Sequence, residues 1–128
     1  MEDINFFDLD IVINAILQAQ KQVTWKSGKA YPHLHKRISL GHLPENATIA
    51  TYEAIISQVL SHANNNVYIY RYPPLIYPTL TSTIDDRLWL VMVGTDGILE
   101  TAFPPEDPDT YLSNSAFTYL GILENLLK

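Results

Sequence analysis

The chain has 128 residues, of which 47% are hydrophobic and 17% charged, a composition typical of a folded domain and not of a disordered tail. Its 14 acidic and 8 basic side chains give a net charge of −6, so the molecule as a whole is not expected to attract nucleic acid at long range. The absence of cysteine excludes disulfides and thiolate chemistry. We expect a single domain over residues 1–128, located in the cytoplasm. The acidic start Met1-Glu2-Asp3 does not resemble a secretion signal, and no apolar run reaches the length of a membrane span.

Hydrophobic periodicity predicts helices in the first half of the chain. Apolar residues at helical spacing indicate a helix over 8–22, followed by a less regular connector over 23–43. The pair Tyr31-Pro32 interrupts this connector, so we expect at most a turn or two of helix in it. A second helix is predicted over 49–62, with Thr48 as its N-cap.

The second half of the chain changes to the period of two that is typical of strands. Four strands are predicted, over 67–72, 79–84, 88–93 and 98–103, followed by a final helix over 109–127. Because short loops join consecutive strands, the sheet should be antiparallel. The predicted fold is therefore α+β, with helices packed on one face of a four-stranded antiparallel sheet.

Positive charge is concentrated in one part of this acidic chain. Residues 11–44 contain no Asp or Glu, yet they hold five of the eight Lys and Arg and three of the four His. Such a segment can face a phosphate despite the net negative charge of the molecule. Within it the candidate residues narrow to a cluster near the end of the connector, namely His33, His35, Lys36, Arg37 and His42.

The chemistry of this cluster suits the cleavage of RNA without a metal. A histidine can take a proton from a ribose 2′-hydroxyl or return one to a leaving oxygen, and Lys or Arg beside it can neutralise charge on the transition state. A His-x-His pair by itself is a weak zinc motif, so no metal and no cofactor are expected. The alternative is a solvated surface segment whose histidine rings pack on the sheet.

Two further groups of residues are candidates for contacting RNA. On the last predicted strand, Leu99, Thr101 and Phe103 should share one face, where Thr101 can donate a hydrogen bond and Phe103 can stack on a base. The strand 67–72 interleaves tyrosines with Arg71, a pattern that also suits base stacking. The alternatives are an ordinary sheet threonine and core phenylalanine, and a half-buried tyrosine face or a protein interface.

Taken in order, these features resemble a known family. His35-Lys36 precede Leu40-Gly41 and a helix, and a later strand ends in Glu100-Thr101-Ala102-Phe103-Pro104. This arrangement resembles the barnase–EndoU–colicin–RelE class of small RNases and is most similar to the tRNA-cleaving domain of colicin D. His and Lys stand in the reverse order relative to that family, so which of them is the base stays open. The family is also generally basic, whereas this chain is acidic.

The resemblance implies a metal-independent endoribonuclease toxin that cuts tRNA or another structured RNA, with a cognate antitoxin or immunity protein as a possible partner. The 2′-hydroxyl would attack the adjacent phosphate and leave a cyclic phosphate. Membrane binding and a small-molecule ligand are not expected. The implied roles are His35 as base or acid, His33 and His42 for the second proton transfer, Lys36 and Arg37 as phosphate ligands, Thr101 as a donor to the scissile phosphate, and Phe103 as a further RNA contact. Arg71 remains a candidate RNA contact from the tyrosine-rich strand alone.

The alternative function is a protein without catalysis. The excess of acidic over basic residues and the eight tyrosines would suit an immunity or inhibitor protein that masks a basic nuclease, or another protein-interaction module. Such a protein should present its acids as one patch. In the sequence thirteen of the fourteen acids lie at 2–10, 45–53, 85–86 and 96–109, so only the fold can bring them together.

Overall fold

The computed structural model describes the backbone of residues 6–127 and the side chains of residues 9–127. Within these residues three helices come first and four strands follow. The chain then ends with a short helix, a fifth strand and another short helix. The elements are α1 (Phe6–Lys21), α2 (Ala30–Ser39), α3 (Ile49–Ser61), β1 (Asn66–Tyr72), β2 (Leu75–Ile84), β3 (Arg87–Val93), β4 (Leu99–Phe103), α4 (Pro108–Leu112), β5 (Phe117–Ile122) and α5 (Leu123–Leu126).

The strands form one antiparallel sheet in the order β4-β3-β2-β1-β5. The α+β class is confirmed, but the sheet has five strands and the prediction of four was wrong. The extra strand, β5, lies inside the segment 109–127 that the sequence predicted as one helix. That segment instead forms α4, β5 and α5.

Local chemistry and an open sheet edge explain why the predicted final helix does not form. Ser113, Asn114 and Ser115 are weak helix formers, and the side-chain Oδ1 of Asn114 accepts a hydrogen bond from the backbone N–H of Ala116 at 2.8 Å, which closes a turn. Without β5, the strand β1 would be an unpaired edge. Phe117 lies opposite Tyr70 in the β1–β5 ladder, so pairing buries aromatic area that a free helix would not.

Helices α1 and α3 pack on one face of the sheet, which we call the helix face. Tyr52 and Ile56 of α3 are fully buried there against Leu80 and Val91 of the central strands. Both predicted helices are confirmed within about two residues, and the side chain of Thr48 caps α3 by accepting from the N–H of Thr51. No helix among residues 6–127 is long and apolar enough to cross a bilayer.

The opposite face, which we call the second face, carries aromatic rings and threonines. Residues at paired ladder positions share a face, so Thr101 and Phe103 of β4 lie on the same side as Met92 and Leu90 of β3. The sheet curves strongly around this face. The ring of Tyr111 in α4 lies 5.4 Å from Phe103 on one edge strand and 5.6 Å from Phe117 on the other. Helix α4 therefore covers part of the second face.

The connector predicted over 23–43 contains a complete ten-residue helix, α2, so the expectation of a turn or two was wrong. Pro32 was taken as a break, but it lies in the first turn, where a backbone N–H has no helical partner to lose. The segment before α2 is tied to the sheet, since the N–H of Leu99 donates to the carbonyl of Thr24 at 2.8 Å. Helix α2 thereby lies beside the edge strand β4.

Gly97 lies in the turn before β4 and provides a test of how closely this turn packs on α1. Its φ is +81°, and a Cβ there would lie 2.9 Å from the Cβ of Gln18 in α1, whereas Gly41, with φ +77°, has open space around it. Gly41→Ala should cost about 1 kcal/mol of unfolding free energy because of the left-handed backbone alone. Gly97→Ala should cost about 1 kcal/mol or more beyond that, because Gln18 must move. Urea denaturation of both variants measures the difference, and equal losses would contradict close packing of this turn on α1.

Candidate active site

A cleft of about 590 Å³ opens between the C-terminal half of α2 and the end of β4. We call it the first cleft. Its floor and walls come from distant parts of the chain, because the hydrogen bond from Leu99 to Thr24 holds the segment before α2 against β4. It is lined by Lys36, Arg37, Leu40, His42, Thr101, Phe103, Pro104, Pro105, Glu106, Asp107, Thr110 and Tyr111.

Most of the residues predicted from the sequence meet in this cleft. Five of the eight candidates line it, and they come from both sides: Lys36, Arg37, His42, Thr101 and Phe103. His33 lines an adjoining cleft that is described below. His35 is exposed on α2 next to the ring of Tyr31, and Arg71 is exposed on β1, and neither lines the first cleft or the adjoining one.

Arg37 is the most unusual residue of the first cleft. The α-helical period places it on the inner side of α2 with Leu34, and only 5% of it is exposed. Its guanidinium lies 5.4 Å from the centre of the Phe103 ring, which is within cation–π range. Among the described residues no carboxylate forms an ion pair with it, and its Nε is buried without a hydrogen-bond partner. Burial lowers the pKa of Arg37.

His42 follows α2 and is fixed by its backbone. Its N–H donates to the carbonyl of Arg37 at 2.8 Å, and its own carbonyl accepts from Nη1 of Arg87 at 3.3 Å. Desolvation lowers the pKa of His42 below 6.5, helped by the charges of Arg37 and Arg87 and opposed by Glu106. Its Nδ1 is buried with no hydrogen-bond partner among the described residues, so one ring nitrogen is unused.

Strand β4 presents Thr101 and Phe103 to the first cleft because alternate residues of a strand share a face, and a bulge precedes them. The register with β3 shifts between Met92 and Val93, so that Thr101 pairs with Met92 while Leu99 pairs with Val93. Thr101 and Phe103 share the second face as predicted. Leu99 pairs with Val93 across the bulge and packs in the hydrophobic core, so the prediction that it shares their face is not confirmed, although the residue also borders the adjoining cleft.

A buried hydrogen bond holds β4 against α3. The hydroxyl of Tyr52 donates to the carbonyl of Ala102, between the two cleft residues of β4. Burial raises the pKa of Tyr52 to about 12, so this hydroxyl stays protonated and keeps its donor role. The neighbouring Glu53 accepts from Nε1 of Trp25 at 2.7 Å. These contacts position Thr101 and Phe103 from behind.

A second cleft, of about 480 Å³, adjoins the first and shares Thr101 and Tyr111 with it. His33 lies in it, half-buried against the ring of Trp25 at 5.7 Å. Desolvation lowers the pKa of His33, and the charges of Arg37, Lys29 and Lys36 add to this effect while Glu100 opposes it. The full lining is Lys26, Lys29, His33, Tyr70, Met92, Leu99, Glu100, Thr101 and Tyr111.

The sequence did not identify Tyr111, Glu106 or Arg87 as site residues. Tyr111 was assigned to a long helix, and only the short α4 brings its ring over the second face. Glu106 lies in the loop before α4 and lines the first cleft with His42, whereas its neighbour Asp107 caps α4 by accepting from the N–H and the hydroxyl of Thr110. No local pattern could have found Arg87, because its role depends on the β2–β3 turn.

Among the described residues no group of three or more His, Cys, Asp or Glu is arranged to hold a metal ion. Comparison of the chain with protein-family models, with curated proteins and with solved structures gives no match. Function must therefore be inferred from the residues of the two clefts.

Proposed function

We propose that this protein is a metal-independent endoribonuclease of the toxin type, which cuts a single-stranded loop of tRNA or of another structured RNA. The observation that carries the proposal is the buried guanidinium of Arg37, which lines the first cleft without a carboxylate partner among the described residues. Burying an unpaired charge is costly, and an anion entering the cleft removes that cost.

The surroundings of Arg37 favour an RNA phosphate as this anion. Lys36 adds a second positive charge, and the hydroxyl of Thr101 supplies a neutral donor on the opposite wall. The ring of Phe103 provides a flat apolar surface for a base, and base–aromatic stacking is tolerant of sequence. A simple carboxylate ligand would use the positive charges but not the aromatic wall.

The proposed reaction uses the two histidines of the two clefts. His42 takes the proton of the ribose 2′-hydroxyl, and the 2′-oxygen then attacks the adjacent phosphorus. Arg37 and Lys36 neutralise the non-bridging oxygens as charge develops, and Thr101 donates to one of them. The bond from phosphorus to the 5′-oxygen breaks, and His33 gives that oxygen a proton. The products are a 2′,3′-cyclic phosphate and a free 5′-hydroxyl.

This proposal changes two of the roles expected from the sequence. His42 is the base, a role left open between His35 and Lys36, because His42 lines the first cleft whereas His35 is exposed outside it. Arg71 has no role at the scissile phosphate, because it lies on β1 away from both clefts. A cognate antitoxin or immunity protein remains part of the proposal as the partner that would cover the first cleft.

The test is cleavage of total tRNA by the purified protein in the presence of EDTA. We expect discrete fragments that end in a cyclic phosphate, and none when the ribose at the cut is 2′-O-methylated. A Lys36→Ala/His42→Ala variant should lose this activity, while Lys21→Ala, on α1 outside both clefts, controls for the loss of one positive charge.

Two outcomes would contradict the proposal. One is intact RNA after incubation with the folded wild type, and the other is equal cleavage by the double variant. Expression in cells adds a second measurement, since growth should stop with the wild type and continue with the variant. Intact RNA together with tight binding of a basic nuclease would favour the acidic inhibitor instead.

A further inference from the structure

We infer that the second cleft is the binding site for the nucleotide on the 3′ side of the cut, with Tyr70 and Tyr111 as its base platform and Lys29 as its phosphate contact. This inference rests on the proposed function and adds a substrate requirement to it. The enzyme would need an unpaired nucleotide after the scissile phosphate and not only before it.

The two clefts are placed for adjacent nucleotides. They share Thr101 and Tyr111, so a chain whose phosphate lies at Thr101 has one nucleotide on each side of that residue. The volume of the second cleft, about 480 Å³, is within the usual range for small-molecule sites. One nucleotide in each cleft would therefore place the scissile phosphate at their common wall.

Aromatic packing makes the second cleft a firm platform. The Tyr70 ring lies 4.9 Å from the ring of Phe117, and the Tyr111 ring lies 5.6 Å from the same phenylalanine. Phe117 therefore packs against both of the tyrosines that line the cleft. A ring held in this way loses little conformational entropy when a base stacks on it.

The charges of the second cleft also suit a nucleotide. Lys26 is already paired with Glu100, which accepts a hydrogen bond from it. Lys29 lies four residues before His33, at the N-cap of α2, and forms no ion pair with a described carboxylate. Together the two clefts contain four of the eight Lys and Arg of this acidic chain, namely Lys26, Lys29, Lys36 and Arg37.

The direction of the RNA follows from the chemistry. The oxygen that leaves the phosphorus is the 5′-oxygen of the following nucleotide. Its proton comes from His33 in the proposed reaction, and His33 lines the second cleft. The following nucleotide must therefore lie in the second cleft, with the preceding one in the first cleft beside His42 and Phe103.

Binding can be measured without cleavage. The probe is a fluorescein-labelled RNA hexamer with 2′-O-methyl groups throughout, and fluorescence anisotropy gives its Kd. Tyr70→Leu and Lys29→Ala should each weaken binding by about tenfold. The matched controls are Tyr72→Leu, which changes an exposed tyrosine on the same strand, and Lys21→Ala, and both should bind like the wild type. Equal binding by all four variants would overturn the inference.

Cleavage kinetics test the direction. A DNA hexamer with a single ribose fixes the cut, and the nucleotide on its 3′ or 5′ side can be made abasic. For the wild type, kcat/KM should be about tenfold lower on the 3′-abasic substrate than on the intact one. For Tyr70→Leu, removing the same base should lower kcat/KM only slightly, because the tyrosine that stacks on it is already missing. If Tyr70→Leu and removal of the 3′ base instead lowered kcat/KM by factors that multiply, the assigned direction would be contradicted. Tyr70-dependent binding without any cleavage would instead support the site and count against the proposed reaction.

Discussion

Arg37→Met is expected to abolish RNA cleavage while leaving the protein as stable as the wild type, or more stable. Methionine fills a similar volume on the inner side of α2 but removes a buried charge that has no carboxylate partner among the described residues. Replacing buried charges by apolar side chains is often neutral or stabilising, and we expect a change of about 0 to +2 kcal/mol in the free energy of unfolding. Loss of transition-state stabilisation should reduce kcat/KM about 100-fold or more.

Urea denaturation and the cleavage assay together check this prediction. Arg37→Lys keeps a positive charge and should retain part of the activity, because Lys binds phosphate as a point charge without the planar fork of arginine. Lys21→Met controls for the loss of a surface charge. An Arg37→Met variant that is much less stable, or that still cleaves normally, would mean that the guanidinium serves packing and not phosphate binding.

His42→Ala is expected to reduce kcat/KM by a factor of about 10² to 10⁴, the usual contribution of a general base. His35→Ala should have a much smaller effect, because His35 is exposed and lines neither cleft. Both variants are compared with the wild type on one tRNA substrate under single-turnover conditions. A larger loss for His35→Ala would reassign the base to His35.

The pH dependence of cleavage follows from the same two histidines. Burial and nearby positive charges lower the pKa of both His42 and His33 below 6.5. Activity should rise as pH increases through the pKa of His42, which must be neutral, and fall as pH increases through the pKa of His33, which must be protonated. The maximum should therefore lie below pH 6.5.

Arg87→Gln provides a separate check of the acidic limb of the pH–activity profile, where activity rises as His42 loses its proton. It removes one of the positive charges that lower the pKa of His42 and keeps a polar side chain at this position. The pKa of His42 should rise, and the acidic limb of the profile should move to higher pH. Proton NMR titration of the His42 ring measures the same shift without any substrate. An unchanged ring pKa would show that Arg87 does not act on His42 electrostatically.

Local patterns predicted the regular elements where one face of the element is buried. Helices α1 and α3 and strands β1 to β4 have apolar residues at the correct period, because each packs on the common core. The errors lie where tertiary contacts outweigh local preference. Phe117 and Leu120 fit a helical spacing, yet the open edge of β1 makes this segment a strand. Pro32 looked like a break, yet it lies in the only turn of a helix that tolerates it.

The candidate site was likewise predictable from the sequence only in part. The acid-free segment and the Thr101–Phe103 pair are visible in the sequence, since the types of residue that handle phosphate and bases stand out in an acidic chain. Their meeting is not visible, because 64 positions separate Arg37 from Thr101 and the two come together only when the segment before α2 pairs with β4. The curvature of the sheet then brings Tyr111 over the second face, where it lines the second cleft.

The sequence by itself determined the α+β class, the two long helices and the chemical types that gather at the first cleft. These depend on hydrophobic periodicity and charge, which are properties of neighbouring residues along the chain. Only the tertiary structure decided that His42 lies in the first cleft while His35 lies outside it, and that Arg37 is buried without a carboxylate partner among the described residues. The orientation of α2 against β4 decides both, and it is set by the packing of the whole core.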